Sequence, residues 1–275
     1  MSSKGLFTAL SGAMAQNQRL DTIANNIANA NTTAFKKDQQ TFYEYLTAAE
    51  KPVDVIQVPR IPASIESFYD MQGADRAYVD SAGTFVNLNQ GQLKPTSAPL
   101  DLALDGPGFF EVLTPQGVRY TRSGQFKIDN QKNLVTKDGF PVLKEGTQDP
   151  QQRKITVDGK NLVVTSGGDV FDGANSIGKI SIVEQVERDS LQKMGGSLYS
   201  LKGNLATAAS GDSERKMIPS VETQIHQGFV ELSNVNIVDE MTDMIAASRT
   251  FEAAQKAMKA YDQMDEKLNT EVPKI

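Results

Sequence analysis

Apolar residues near the start of the chain recur at alternating spacings of four and three positions, the heptad spacing of packed helices. Within residues 1–36 this pattern predicts a helix of about 26 residues, roughly 39 Å long. Because alanine and asparagine occupy part of this seam, the helix would be marginal alone in water and needs a partner. The seam consists of Leu6, Leu10, Ala13, Asn17, Leu20, Ala24 and Ile27.

A second pattern of this kind lies at the end of the chain, where neither proline nor glycine occurs between Phe229 and Val272. It predicts one long helix from about Val235 to Asn269, with Asp239 and Glu240 near the start, where the helix dipole favours acidic residues. Its apolar positions, spaced by three, four or sums of these, are Val238, Met241, Ile245, Met258, Tyr261, Met264 and Leu268.

The middle of the chain, roughly residues 60–225, has a different pattern. Glycine and Asp/Asn turn signals recur about every ten residues, and short β-prone runs lie between them. Such spacing is typical of an antiparallel sandwich or barrel-like domain. The predicted strands are 109–113, 118–121, 126–128, 134–136, 162–165 and 180–186.

The fold class is therefore α+β. Two long terminal helices are expected to pair antiparallel as a coiled-coil inner domain, with an all-β outer domain between them. Apolar helix surface left over from this pairing should contact other subunits. The predicted parts are an N-terminal helix in 1–36, an extended connector in 37–75, the β-rich outer domain in 76–205, a return connector in 206–227 and a C-terminal helix in 228–275.

Composition narrows the possible functions. The charges of this 275-residue chain sum to −6, which argues against a nucleic-acid partner. No apolar run reaches the roughly 20 residues of a membrane-spanning helix, so membrane insertion is not expected. The chain has no cysteine and one histidine, so thiolate chemistry and metal sites that need cysteines or two imidazoles are excluded. No cofactor, metal or small-molecule substrate is expected.

A few side chains could still carry chemistry. Asp101 and Asp105 would share one strand face, as the carboxylates of a glycosidase might, but the spacing is common by chance and favours a solvated strand face. Surface turns and a structural histidine are the favoured interpretations of the other candidates, so no enzyme is predicted. These are Asp169 with Asp172 as a calcium loop, and His226 with Ser220 or Glu222 as a catalytic group.

Asparagines crowd the end of the first predicted helix. Asn31 would cap the helix, and Asn25 and Asn29 would share a face and hydrogen-bond a neighbouring backbone. A cap alone and a cap combined with an inter-subunit contact are both compatible with the pattern, and the second is favoured.

Six segments of the chain resemble the bacterial flagellar rod and hook proteins. The matching segments form three groups of motifs in the right order along the chain. The segments are 20–36 near the start, 106–110 and 120–124 in the middle, and 228–236, 240–245 and 249–251 near the end.

The resemblance implies a structural subunit of a helical tube, the flagellar rod, that transmits motor torque to the hook. Terminal helices of the family surround a central channel, and the β domain lies outside. The implied partners are copies of the chain, other proximal and distal rod subunits and the flagellar type III export apparatus. The chain would then cross to the periplasm-spanning rod uncleaved, although Lys4, the apolar run after it and Ala13-Met14-Ala15 could suggest a signal peptide.

Within this family, inner-shell packing is expected for Leu6, Leu10, Leu20, Ile27, Val238, Met241, Ile245, Phe251, Met258 and Tyr261. Polar contacts between subunits are expected for Asn25, Asn26, Asn29 and Asn234.

Chain length leaves the proximal-rod, FlgF-like type and the distal-rod, FlgG-like type, and three segments favour the proximal type. The segments are 71–76, 93–101 and 241–245. A hook-type subunit, a phage-tail or pilus-like tube subunit and a secreted β-sheet carbohydrate-active module are the alternatives.

Overall fold

The computed structural model describes residues 2–46, 77–157, 162–173, 175–185, 191–201, 217–220 and 222–271. An N-terminal helix, a β-rich middle and a C-terminal helix follow one another, which confirms the α+β class. The chain divides into two compact units. The helical unit comprises residues 1–27, 38–85 and 237–275, and the β unit comprises residues 28–37 and 86–236.

In the helical unit, both long helices form where the apolar spacing predicted them. Helix α1 spans Ser2–Ala28 and helix α2 spans Ile237–Glu271, within two residues of the predicted bounds for α2. Asp239 and Glu240 lie in the first turn of α2. Strands β1 (Asp38–Leu46) and β2 (Ala77–Val86) form a two-stranded sheet, so the start of the predicted connector is a paired strand.

The predicted apolar seams are only partly buried within one chain. Leu10 is 42% exposed and Val238 is 67% exposed, while the buried positions are Ala13, Ala15, Ile23 and Asn26 on α1 and Glu240 and Ala247 on α2. The buried faces are thus rotated away from part of the predicted seams. Coiled-coil pairing is not confirmed, and packing of these seams stays a prediction for an assembled state.

The β unit is antiparallel throughout its described strand pairs. Its largest sheet has the order β13-β14-β6-β5-β12-β15, and β11-β10-β9 form a second sheet. The large sheet consists of β5 (Phe109–Thr114), β6 (Gly117–Thr121), β12 (Ile182–Gln185), β13 (Leu191–Gly195), β14 (Leu198–Leu201) and β15 (Met217–Pro219). The second sheet consists of β9 (Leu162–Val164), β10 (Asp169–Asp172) and β11 (Asn175–Lys179).

The remaining described strands form three antiparallel pairs. Strand β4 pairs with β16, β3 with β17, and β7 with β8, so the segment 224–231 is built into the β unit. The predicted strands 126–128 and 134–136 are confirmed without change. The strands are β3 (Leu93–Pro95), β4 (Leu102–Asp105), β7 (Phe126–Ile128), β8 (Leu134–Thr136), β16 (Gln224–Gln227) and β17 (Phe229–Glu231).

Apolar clusters cover β5 on both faces. Phe110 and Val112 belong to the larger cluster, and Phe110 packs edge-to-face on Phe126 at 5.2 Å between ring centroids. Phe109 belongs to the smaller cluster and packs edge-to-face on Tyr199 at 5.4 Å. This alternation places β5 at the centre of the β unit, although closure into a sandwich or barrel is not confirmed.

Gly124 lies where two backbones meet closely. A Cβ atom there would stand 1.5 Å from the carbonyl oxygen of Leu102, whose amide donates to the Gly124 carbonyl at 2.9 Å. Only glycine fits this approach.

Among the described residues, no helix combines the length and apolarity needed to cross a membrane.

Candidate functional site

Three charged side chains from distant parts of the chain meet in the β unit, and we call them the ionic junction. Glu231 ends β17 with a side chain that is 0% exposed. One carboxylate oxygen accepts from Lys36 Nζ at 2.6 Å and from the Gly91 amide at 2.8 Å. The other accepts from Arg122 Nε at 2.6 Å. The carboxylate therefore joins three chain segments.

The two cations also bind backbone carbonyl groups. Arg122 donates its remaining nitrogens to the carbonyls of Leu104 at 3.2 Å, Gly106 at 2.6 Å and Gly108. Lys36 Nζ donates to the Asn89 carbonyl at 2.8 Å. Since the planar guanidinium can serve several acceptors at once, Arg122 fixes the turn between β4 and β5 as well as Glu231.

At the ionic junction, burial and the neighbouring charges shift the pKa of Glu231 in opposite directions. Burial tends to raise the pKa of Glu231, but the charges of Arg122 and Lys36 and their hydrogen bonds outweigh it and hold the pKa below its usual 4.5. Burial lowers the pKa of Lys36, and the Arg122 charge adds to this effect while Glu231 opposes it. Glu231 is thus the ionised centre on which the two cations depend.

The segment that carries Lys36 is held on several sides. The Ala34 amide donates to the Glu231 carbonyl at 2.8 Å, and the Asn234 amide donates to the Phe35 carbonyl at 3.3 Å. Lys193 Nζ lies 4.0 Å from the centroid of the Phe35 ring and donates to the Lys36 carbonyl. Residues 34–36 are all buried, so this segment after α1 is part of the β-unit core.

Sequence reasoning did not predict the ionic junction. Its members are Lys36, Arg122 and Glu231, which lie more than 80 positions apart along the chain, so no local pattern connects them. The available signal was that each lies in one of three separate motif segments: 20–36, 120–124 and 228–236. The structure brings these three segments together.

Two of the asparagines expected at subunit contacts form hydrogen bonds within the chain. In the helical unit, Asn26 bonds Asp38 and Glu240. In the β unit, Asn234 bonds Lys37, Asn87 and Asn89. Asn25 is exposed, and Asn29 accepts from the Thr32 hydroxyl at 3.2 Å. Contacts of these four with other subunits stay predictions.

The side chains expected in the inner shell divide into two groups by exposure. Leu6, Leu20, Ile27, Phe251, Met258 and Tyr261 are half-buried within the single chain. Leu10, Val238, Met241 and Ile245 are between 42% and 67% exposed. The second group therefore has apolar surface available to another molecule.

The candidate chemical groups occupy surface positions. Asp101 forms an isolated bridge with Gln125, and Asp105 ends β4 with a side chain 54% exposed. His226 Nε2 lies 3.4 Å from an Asp105 carboxylate oxygen, and the Ser220 hydroxyl bonds Thr223. Asp169 accepts from the Thr165 hydroxyl, and no metal-binding cluster occurs within the described ranges. These contacts fit surface turns.

The β unit holds buried charges that cross-link chain segments, and the terminal helices have exposed apolar faces. Both features are typical of a structural subunit that assembles with others. Comparison with known families agrees. Residues 6–36 match the flagella basal body rod protein model, 103–188 match the flagellar hook protein FlgE/F/G D1 domain, and 226–271 match the flagellar basal body rod FlgEFG protein C-terminal model.

Full-length relatives lead to the same family. The chain is 34% identical to flagellar basal-body rod protein FlgG of Bacillus subtilis, over 96% of this chain and 97% of that protein. It is 34% identical to FlgF of Caulobacter vibrioides, over 92% and 91%, and 32% identical to the hook-basal body complex protein FlhO of Bacillus subtilis, over 99% of each. The chain belongs to the flagellar basal-body rod protein family. It is a structural, non-enzymatic subunit of the flagellar basal body.

Proposed function

We propose that this rod subunit assembles through two apolar stripes on its terminal helices. The α1 stripe is Phe7, Leu10 and Met14, and the α2 stripe is Val238, Met241 and Ile245. In each stripe the members are spaced by three and four residues, so they share one helix face. Each of the six is at least 42% exposed. This exposure is the observation that supports the proposal.

Burial of the two stripes against another subunit would contribute favourable free energy to association. Complete burial of one large apolar side chain contributes about 1.5–3 kcal/mol. The six side chains are already partly covered, so about half of that, roughly 5–9 kcal/mol in total, is available before the entropic cost of association. Repeated contacts between two different faces generate an open helical array when they do not close into a ring, and such an array is the form of a rod.

The proposed partners are copies of this chain and other rod subunits, and the assembled tube would transmit torque from the motor to the hook. We place the subunit in the proximal rod, with the type III export apparatus as a transient partner. The segment 93–101, which supports the proximal type, begins with β3. Residues 71–76, also used for this assignment, lie outside the described residues. Relatives named FlgG and FlgF match at the same identity.

Charged substitutions in the stripes test assembly. Leu10→Asp and Met241→Asp place a carboxylate on each stripe, while Gln255→Asp places one on an exposed polar position of α2 as the matched control. The expected result is loss of the first two variants from purified basal bodies, with normal incorporation of the control. All three free chains should keep the thermal unfolding midpoint of the β unit. Incorporation of Leu10→Asp and Met241→Asp at the wild-type level would overturn the proposal.

A further inference from the structure

The chain passes between its two units four times, after residues 27, 37, 85 and 236. Each passage is a point where force on one unit could be transferred to the other through the backbone. In each unit, one asparagine side chain hydrogen-bonds segments that flank these passages.

In the helical unit this residue is Asn26, which is 1% exposed. Its amide nitrogen donates to the Asp38 carbonyl at 2.9 Å, and its amide oxygen accepts from the Asp38 amide at 3.0 Å. The same nitrogen donates to Glu240 Oε2 at 3.2 Å. Asn26 therefore connects the segments next to the first, second and fourth passages.

In the β unit the corresponding residue is Asn234. Its side-chain oxygen accepts from the Lys37 amide at 2.7 Å. Its nitrogen donates to the carbonyls of Asn87 at 2.9 Å and Asn89 at 3.0 Å. Asn234 therefore connects the segments next to the second, third and fourth passages.

We propose that Asn26 and Asn234 are a pair of clamps that make the four passages carry load together. Asparagine suits this role because its short planar amide donates and accepts at once, so one side chain can bond both backbone groups of an extended residue. Force on either terminal helix is then shared among the four passages instead of being carried by a single passage. This inference rests on the proposed torque-bearing function, and both asparagines act as positioning residues.

The local effect is measurable in the purified full-length chain. Asn26→Ala removes the acceptor of the Asp38 amide, and Asn234→Ala removes the acceptor of the Lys37 amide. We expect at least about tenfold faster hydrogen exchange at the corresponding amide, with unchanged exchange at Val112 in the core strand β5. Gln255→Ala and Asn130→Ala, at exposed positions, are controls that should leave both amides unchanged. Wild-type exchange at Asp38 and Lys37 in the clamp variants overturns the proposal.

If removing the side chain unfolds the core, Asn26→Leu and Asn234→Leu are measured instead. Leucine keeps roughly the size of the side chain but can neither accept from the Asp38 and Lys37 amides nor donate to the Asp38, Asn87 and Asn89 carbonyls. Faster exchange confined to the flanking segments again supports the clamp, and exchange at wild-type rates in these folded variants refutes it.

Swimming under load separates this inference from the assembly proposal. Cells whose rod contains a clamp variant should build normal basal bodies but lose swimming speed more steeply than wild type as medium viscosity is raised. Stripe variants, in contrast, should leave no incorporated subunit. The clamp is refuted if its variants follow the wild-type viscosity curve. It is also refuted if folded clamp variants fail to incorporate, because the asparagines would then act at subunit contacts.

Discussion

Replacing Glu231 by glutamine should strongly destabilise the β unit, because it removes one negative charge from between two buried cations. Glutamine has nearly the same shape, so packing changes little. Its amide hydrogens, however, must face either Lys36 Nζ or Arg122 Nε, both now 2.6 Å from a carboxylate oxygen. The side chains of Lys36 and Arg122 are 1% and 4% exposed, so water cannot replace the lost partner.

The expected magnitude follows from this geometry. Breaking a buried ion pair by removing one partner costs about 3–5 kcal/mol, since the remaining charge stays buried without compensation. For a domain of about 150–250 residues, each kcal/mol corresponds to a fall of roughly 2–4 °C in the unfolding midpoint. The midpoint of the β unit should therefore fall by about 6–20 °C.

Thermal unfolding of the full-length chain, followed by circular dichroism and calorimetry, measures this change. Glu145→Gln is the matched control, because Glu145 pairs with Lys179 at 3.3 Å with both side chains nearly half exposed. Such an exposed pair contributes less than about 1 kcal/mol. Adding Lys36→Met to Glu231→Gln should recover part of the lost stability, because it removes one of the two unpaired cations. The reasoning would be refuted if the unfolding free energy of Glu231→Gln lay within about 1 kcal/mol of that of Glu145→Gln. It would also be refuted if the double variant were no more stable than Glu231→Gln alone.

Three further predictions concern the same unit. Because the folded pKa of Glu231 lies below the unfolded value of 4.5, its stabilisation is complete above that pH and is lost as pH falls through the folded pKa. The midpoint difference between wild type and Glu231→Gln should thus be constant near neutrality and shrink below about pH 4.5; a difference that grows in acid would contradict this. Gly124→Ala should cost more than about 3 kcal/mol in unfolding free energy, because its Cβ would overlap the Leu102 carbonyl, whereas Gly12→Ala, with open space in α1, should not destabilise. Equal midpoints for these two variants would count against the close approach. Deleting residues 1–37 should lower the unfolding midpoint of the β unit further than deleting residues 1–27, because only the longer deletion removes the buried side chains of Phe35 and Lys36. Calorimetry of both truncated chains measures the two midpoints. Matching midpoints would show that residues 28–37 do not contribute to the stability of the β unit.

Helices and turns could be predicted because their signals are local. The spacing of apolar residues places α2 within two residues of Ile237–Glu271, and turn residues bound β7 and β8 correctly. The sequence does not predict strand β1, because its partner β2 lies beyond residues 47–76 and pairing over that distance leaves no local pattern.

Partners could not be predicted from residue type alone. A cluster of asparagines indicates backbone hydrogen bonding, but the sequence does not show whether the backbone belongs to the same chain. Asn26 and Asn234 bond segments of their own chain. The ionic junction was missed for a related reason, because single charges such as Arg122 carry no periodic signal that distinguishes a buried pair from a solvated one.

Within the β unit, the segment that follows α1 is bound to the segment that precedes α2, and this affects whether the two helices need to pair. The sequence suggested that two weak helices would have to pair with each other, which would use their apolar faces within one chain. In the β unit, Glu231, which precedes α2, binds Lys36, which follows α1, through a contact between fully buried side chains, and β17 is paired with β3. Since the segments next to both helices are already joined in the β unit, the apolar faces of α1 and α2 need not cover each other. A subunit with this arrangement can keep its folded β unit while its helix faces remain available for neighbouring molecules.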